Sequence, residues 1–181
     1  DAAGNSYFLS QVMLDFTTSK FALTILSPAG GVIKTSIYGS GIINDRYIPH
    51  DITLDNTGSV LTAVERSYKD ANNITRYEGL VVKYSPSGDS VWSKRIRENS
   101  NVIPFNIQVT SDNSIYISGQ YPMSGTSGQF IQKMSPQGDS LWNFNTQGVN
   151  YWEIGKYSKI DSSGNVYLVS ERQNGIMITR F

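Results

Sequence analysis

Lys83-Tyr84-Ser85-Pro86-Ser87-Gly88-Asp89-Ser90-Val91-Trp92 is restated at Lys133-Met134-Ser135-Pro136-Gln137-Gly138-Asp139-Ser140-Leu141-Trp142. In both copies an apolar run enters a Ser-Pro-x-Gly turn and another apolar run leaves it. Proline presets φ for a turn and glycine accepts the positive φ that closes it, so each copy reads as a β-hairpin. A third copy, Ser27-Pro28-Ala29-Gly30, has Lys34 where the others have tryptophan, which predicts a more exposed outer strand there. Recurrence of one hairpin along a chain marks a repeated block that cannot bury its apolar face alone and must stack on its neighbours.

A second turn signature lies between the first: Asp55-Asn56-Thr57-Gly58, Thr110-Ser111-Asp112-Asn113 and Asp161-Ser162-Ser163-Gly164, with Asp1-Ala2-Ala3-Gly4 at the start. Strand-like runs flank these turns. One unit reads Ile52-Thr53-Leu54, Ser59 to Val64, Leu80 to Tyr84 and Ser90 to Ile96; the next reads Phe105 to Val109, Ser114 to Ser118, Phe130 to Met134 and Ser140 to Phe144. Alternating or continuous β-rich runs of this length are strands, and no segment sustains a helical period. Four short strands in about 40–50 residues is the size of a β-propeller blade. The expected fold is therefore all-β, a propeller of four-stranded antiparallel blades. A sandwich gives no reason for repeated turn sequences, and parallel β-helix coils are shorter. A single propeller domain or propeller segment is expected over residues 1–181, with units at approximately 1–26 (partial), 27–84, 85–134 and 135–181 (partial). About three and a half repeats are then present, and a segment of a larger propeller is expected, completed by further chain or another subunit.

The Lys-x-x-x-x-Gly-x-x-x-Trp hairpins at Lys83 and Lys133, together with Asp161-Ser162-Ser163-Gly164-Asn165-Val166-Tyr167-Leu168, resemble the SBBP-like repeat family of bacterial β-propellers. The resemblance spans nearly the whole chain. It implies a secreted or cell-surface protein of the kind common in Bacteroidetes, on the outer surface or in the periplasm. Its motifs specify structure, not substrate.

Composition narrows the chemistry. Fifteen basic residues balance fifteen acidic ones in 181 residues, leaving no net charge and no summed field to attract nucleic acid or an anionic membrane. No apolar run is long enough to suggest a membrane span. The opening Asp1 to Asn5 lacks the basic and apolar regions of a signal peptide, so the start reads as processed or cut. With no cysteine and one histidine, thiolate chemistry, disulfides and a multi-histidine metal site are excluded. Asp89, Asp139 and Asp161 lie in turns without the alternating ligands and closing glutamate of a calcium loop. No cofactor and no metal are expected. Trp92 and Trp142 invite comparison with quinone-dehydrogenase docking hairpins, but blade-to-blade packing is the simpler expectation.

Function is expected opposite the constant turns. The 1-to-2 and 3-to-4 turns share one end of each blade, whereas Gly39 to Pro49, Arg66 to Glu78, Arg97 to Pro104, Tyr121 to Gln129 and Gln147 to Gly155 are long and unlike one another. Variable segments on a constant scaffold are where contacts belong. The candidates are Asp45, Arg46, Tyr47 and His50; Arg66, Tyr68, Arg76 and Tyr77; and Tyr151, Trp152 and Glu153. Rings beside arginine and amides suit glycan or protein surfaces, although packing between neighbouring blades is the favoured expectation for Tyr47, Phe105 and Trp152. His50 has no orienting partner and nucleophile in sequence, so a structural role is expected rather than catalysis. The leading expectation is a non-enzymatic binding or scaffold module. The alternatives are a fragment of a propeller enzyme, such as a lyase or quinone-type dehydrogenase, or a spacer in a surface assembly.

Overall fold

A computed structural model describes residues 1–97, 101–123, 126–146, 154–161, 164–172 and 175–180. These residues contain fourteen strands and no helix. The first antiparallel sheet holds β1 (Ser6–Met13), β2 (Ser19–Leu26) and β3 (Val32–Tyr38). The second holds β4 (Arg46–Leu54), β5 (Val60–Lys69), β6 (Thr75–Tyr84) and β7 (Ser90–Ile96). The third holds β8 (Ile103–Val109), β9 (Ile115–Met123), β10 (Thr126–Met134) and β11 (Ser140–Asn145), and the fourth β12 (Ile154–Ile160), β13 (Val166–Arg172) and β14 (Gly175–Arg180). Within each sheet every strand pairs with the next in sequence.

One turn geometry joins them. The residue before each turn accepts the N–H of the residue three ahead, as in Gly58 N–H to Asp55 O at 3.0 Å and Gly88 N–H to Ser85 O at 2.8 Å. The fourth residue has positive φ, +81° at Gly58 and +85° at Gly88, and where glycine is missing Asn113 takes it at 62°. Asparagine tolerates that region better than other side chains. The Asp55 carboxylate accepts the N–H groups of Thr57 at 2.9 Å and Ser59 at 3.0 Å, so these aspartates are turn residues.

Successive sheets pack face to face, the first strand of each later sheet lying against the sheet before it. Strand alternation supplies both faces of the inner sheets. Val60 and Val64 of β5 join Phe21, Leu23, Ile25 and Tyr84 between the first and second sheets. Leu61 and Ala63 of the same strand join Ile107, Ile117 and Phe130 between the second and third. Tyr116, Ile131, Val166 and Ile160 form a smaller cluster between the third and fourth. Residues 60 to 65 are accordingly all buried, which places β5 at the centre of the stack.

The sheets are also cross-linked by polar groups at one repeated place. The first strand of each of the three later sheets carries a bulge: between Pro49 and Asp51 in β4, between Pro104 and Asn106 in β8, and between Gly155 and Tyr157 in β12. Asp51 Oδ2 accepts from Ile107 N at 2.9 Å and from Asn106 Nδ2 at 2.7 Å. Asn106 Oδ1 in turn accepts from Ser158 N at 3.2 Å and Ser158 Oγ at 2.7 Å. Ile107 and Ser158 lie just past the bulges, and the Asp or Asn of the preceding sheet's first strand receives their N–H groups.

Two expectations about strand limits are corrected. Arg66 to Glu78 is not a long loop: β5 and β6 run to Lys69 and from Thr75, joined at Asp70 by the same tight turn, with Asn73 N–H to Asp70 O at 2.9 Å. Tyr121 to Gln129 is likewise mostly strand, since β9 reaches Met123 and β10 starts at Thr126. Polar residues fill the first of these segments, whose residues 71 to 75 are exposed. Nor is β3 singled out by Lys34, because β7 and β11 are largely exposed too.

Trp92 packs against the cluster between the second and third sheets, and a Cβ on Gly138 would come within 3.1 Å of its ring. The Ser-Pro-Gln-Gly turn of one sheet therefore rests on the outer strand of the preceding sheet, as Gly88 rests on Lys34 and Ser36. Trp142 meets the Tyr116 ring edge-on at 5.9 Å.

Candidate functional site

The antiparallel connectivity puts the Ser-Pro and Asp turns at one end of each sheet; Gly58 lies beside Pro86 and Gly4 beside Pro28. The β5–β6 turn and the connection from Gly39 to Asp45 therefore sit at the other end. There the chain gathers charge. Asp45, 2 % exposed, ends the first connection, and its carbonyl accepts Ser19 N–H at 3.1 Å. Its carboxylate takes the Arg66 guanidinium in a fork, Nε to Oδ1 at 2.7 Å and NH2 to Oδ2 at 3.0 Å, and also accepts the hydroxyls of Ser40 and Tyr47. Arg66 NH1 reaches Glu78 Oε2 at 3.1 Å, and Glu78 Oε1 accepts from Arg95 NH2 and Tyr68 OH, each at 3.2 Å.

The Tyr68 ring lies 4.6 Å and the Tyr47 ring 5.6 Å from Arg66 Cζ, close enough for cation–π attraction. The hydrogen bond to Asp45 raises the Arg66 pKa despite burial. Burial, followed by the Glu78 charge, pushes the Tyr68 phenol up, and burial does the same to Tyr47. All three shifts move the pKa values of Arg66, Tyr68 and Tyr47 further from neutrality.

Beside this network opens a cleft of roughly 270 Å³ lined by Tyr68, Asp70, Arg76, Tyr77, Glu78, Arg95, Arg97 and Asn101. Arg76 is held by Asp70 at 2.8 Å, and Asn101 Oδ1 accepts Tyr77 N–H at 3.1 Å. Arg97 adopts φ 52° and stands 5.5 Å from the Tyr121 ring, with burial depressing its pKa. The cleft brings aromatic side chains beside the guanidinium groups of Arg76, Arg95 and Arg97.

The sequence candidates thus divide. Asp45, Tyr47 and Arg66 come together but bond one another, whereas Tyr68, Arg76 and Tyr77 line the cleft. Arg46 lies on β4, and its Nε is buried without a partner among the described residues. His50 lies apart from the cluster, with Nε2 3.1 Å from Glu65 Oε2 and its ring edge-on to Phe105 at 5.3 Å. Tyr151, Trp152 and Glu153 lie outside the described residues. Arg97 and Asn101 fall in the variable segment Arg97 to Pro104 but are not among the sequence candidates, and Arg95 is missed altogether. Arg95 sits in Ser93-Lys94-Arg95, which reads as a solvated outer strand; only the pairing of Leu80 with Arg95 brings it beside Glu78.

A scan against protein-family models matches no family. No curated protein matches the chain. Among the described residues no group of three or more acidic or histidine side chains could hold a metal ion, and no helix is long and apolar enough to cross a membrane.

Proposed function

We propose that this chain is a non-enzymatic binding module of a secreted or cell-surface bacterial protein, that its four sheets are blades of a β-propeller arc, and that it holds a glycan at the end opposite the constant turns. The carrying observation is the cleft, where Tyr68 and Tyr77 stand beside Arg76, Arg95 and Arg97. Sugar rings stack on aromatic faces while guanidinium forks bond their hydroxyl and carboxylate oxygens. Face-to-face stacking of successive sheets supports the blade reading, and the likeness of the Lys83 and Lys133 hairpins to SBBP-like repeats supports the bacterial surface setting.

A protein partner remains the second reading, favoured by the exposed Ile42 and Ile43 on the neighbouring connection. A glycan array followed by calorimetric titration tests the proposal. Tyr77→Ala and Arg95→Ala are each expected to weaken glycan binding about tenfold or more. Turnover of a small substrate, or glycan binding unchanged by both substitutions, contradicts it.

A further inference from the structure

Arg97 stands apart from the other cations of the cleft. Arg76 is held by Asp70 at 2.8 Å, Arg95 by Glu78 at 3.2 Å, and Arg66 behind them by Asp45 and Glu78. The guanidinium groups of Arg66, Arg76, Arg95 and Arg97 thus meet the carboxylates of Asp45, Asp70 and Glu78, one fewer than themselves. The surplus positive charge is at Arg97, which forms no ion pair among the described residues. Its neighbours are neutral: NH1 donates to Asn145 Oδ1, the backbone N–H donates to Gln132 Oε1 at 3.1 Å, and the Tyr121 ring lies 5.5 Å from Cζ. A half-buried cation without a carboxylate bears a desolvation cost that nothing in the chain offsets. A guanidinium carries several N–H donors in a planar fork that fits an oxyanion, and Asn145 takes only part of that fork.

Backbone geometry points the same way. Among the described residues, the positions other than glycine with positive φ are Asn44, Asn73 and Asn113, together with Arg97 at 52°. Asparagine tolerates that region, whereas a longer side chain there is strained. A position where Asn or Gly would suit the backbone better therefore holds an arginine whose charge has no protein partner. Stability does not account for that residue, and binding of an anion does.

Arg97 is also placed to meet an extended ligand. Arg95 and Arg97 line a second cleft, of roughly 420 Å³, that continues past Lys94, Gln132 and Asn143. In it the Lys94 charge is matched by Asp139 at 3.4 Å. Arg97 thus lies at the junction of two clefts that share it, with its charge uncompensated in both.

We propose that the glycan held in the cleft is acidic, and that Arg97 receives its carboxylate or sulfate group while Tyr68 and Tyr77 meet the sugar rings. This rests on the reading of the cleft as a glycan site and adds the chemical class of the ligand.

The test is calorimetric titration of the full chain with two matched pairs: oligogalacturonate against its methyl ester, and a sulfated galactan oligosaccharide against its desulfated form. In one pair the acidic member is expected to bind about tenfold or more tighter than the neutral one, with the advantage shrinking as salt is raised. The pair that shows it distinguishes carboxylate from sulfate. Arg97→Asn is expected to erase the advantage while leaving the melting temperature equal to or above that of the parent, a combination that a purely structural role would not give. Should that variant unfold, Arg97→Gln, which keeps part of the stem and an amide donor, is read in its place. Equal binding of acidic and neutral members in both pairs, or an advantage that survives the loss of the Arg97 charge, overturns the proposal; the cleft reading then stands if Tyr77→Ala still weakens binding. No binding by any of these probes also overturns the acidic assignment, and the glycan array then decides whether the cleft reading falls with it.

Discussion

Arg66 uses both sides of its guanidinium, on Asp45 and on Glu78, and both flanking tyrosines. Such a residue holds a site together. Removing it strands the Asp45 carboxylate, whose side chain is 2 % exposed, and uncompensated buried charge is costly. Arg66→Ala is therefore expected to lower stability by about 3–5 kcal/mol in denaturant unfolding, whereas Arg95→Ala, at a side chain 54 % exposed, should cost under about 1 kcal/mol. Asp55 gives a pH-dependent case. Burial acts to raise its pKa, but Lys83 at 2.8 Å and the bonds from Thr57 and Ser59 outweigh burial and hold it below the usual carboxylate value. A depressed folded pKa contributes stability that is full above the unfolded value of about 4 and is lost as pH falls through the folded one. Asp55→Asn should thus cost about 1.5–3 kcal/mol at pH 7, and the gap to the parent should narrow below about pH 4; unfolding curves at both pH values check this.

At the scale of elements, the repeated bulge and its Asp or Asn receiver set the spacing of successive sheets. Asp51→Ala removes the acceptor of Ile107 N and Asn106 Nδ2, so a loss of about 1–3 kcal/mol is expected, with faster amide exchange at Ile107 as its local signature. Hairpin turns and strands were legible in the sequence because their chemistry is local: Pro and Gly preset backbone angles, and alternation marks faces. The Ile-Pro-x-(Asp/Asn)-Ile pattern of Ile48 to Ile52 and Ile103 to Ile107 was equally present but carries no turn signal, and its meaning depends on a contact with another sheet. The Asp70 turn was hidden for another reason. Asp70-Ala71-Asn72-Asn73 has the right form, yet the polar residues around it, which project past the core, obscured the strands on either side. Tyr68, Arg76 and Tyr77 were found by their place in a variable segment, and Arg97 opens another, while Arg95 depends on strand register, which no single stretch of sequence encodes.

For the whole molecule, burial on both faces makes β5 and β9 the interior of the stack, whereas β3 and β14 expose large apolar residues such as Val32, Ile37, Ile176 and Ile178. Amide exchange should follow that gradient, slowest in β5 and β9 and fastest in β3 and β14. The same layout separates a constant end, where the Ser-Pro and Asp turns interlock, from an end that carries the cleft. The proposed glycan is met at the second end and not at the constant turns. Amide exchange of the chain with and without a captured glycan ligand measures this directly: protection concentrated on Tyr68, Arg76, Tyr77, Arg95 and Arg97 is predicted, and protection centred on the Ser27, Ser85 and Ser135 turns would contradict it.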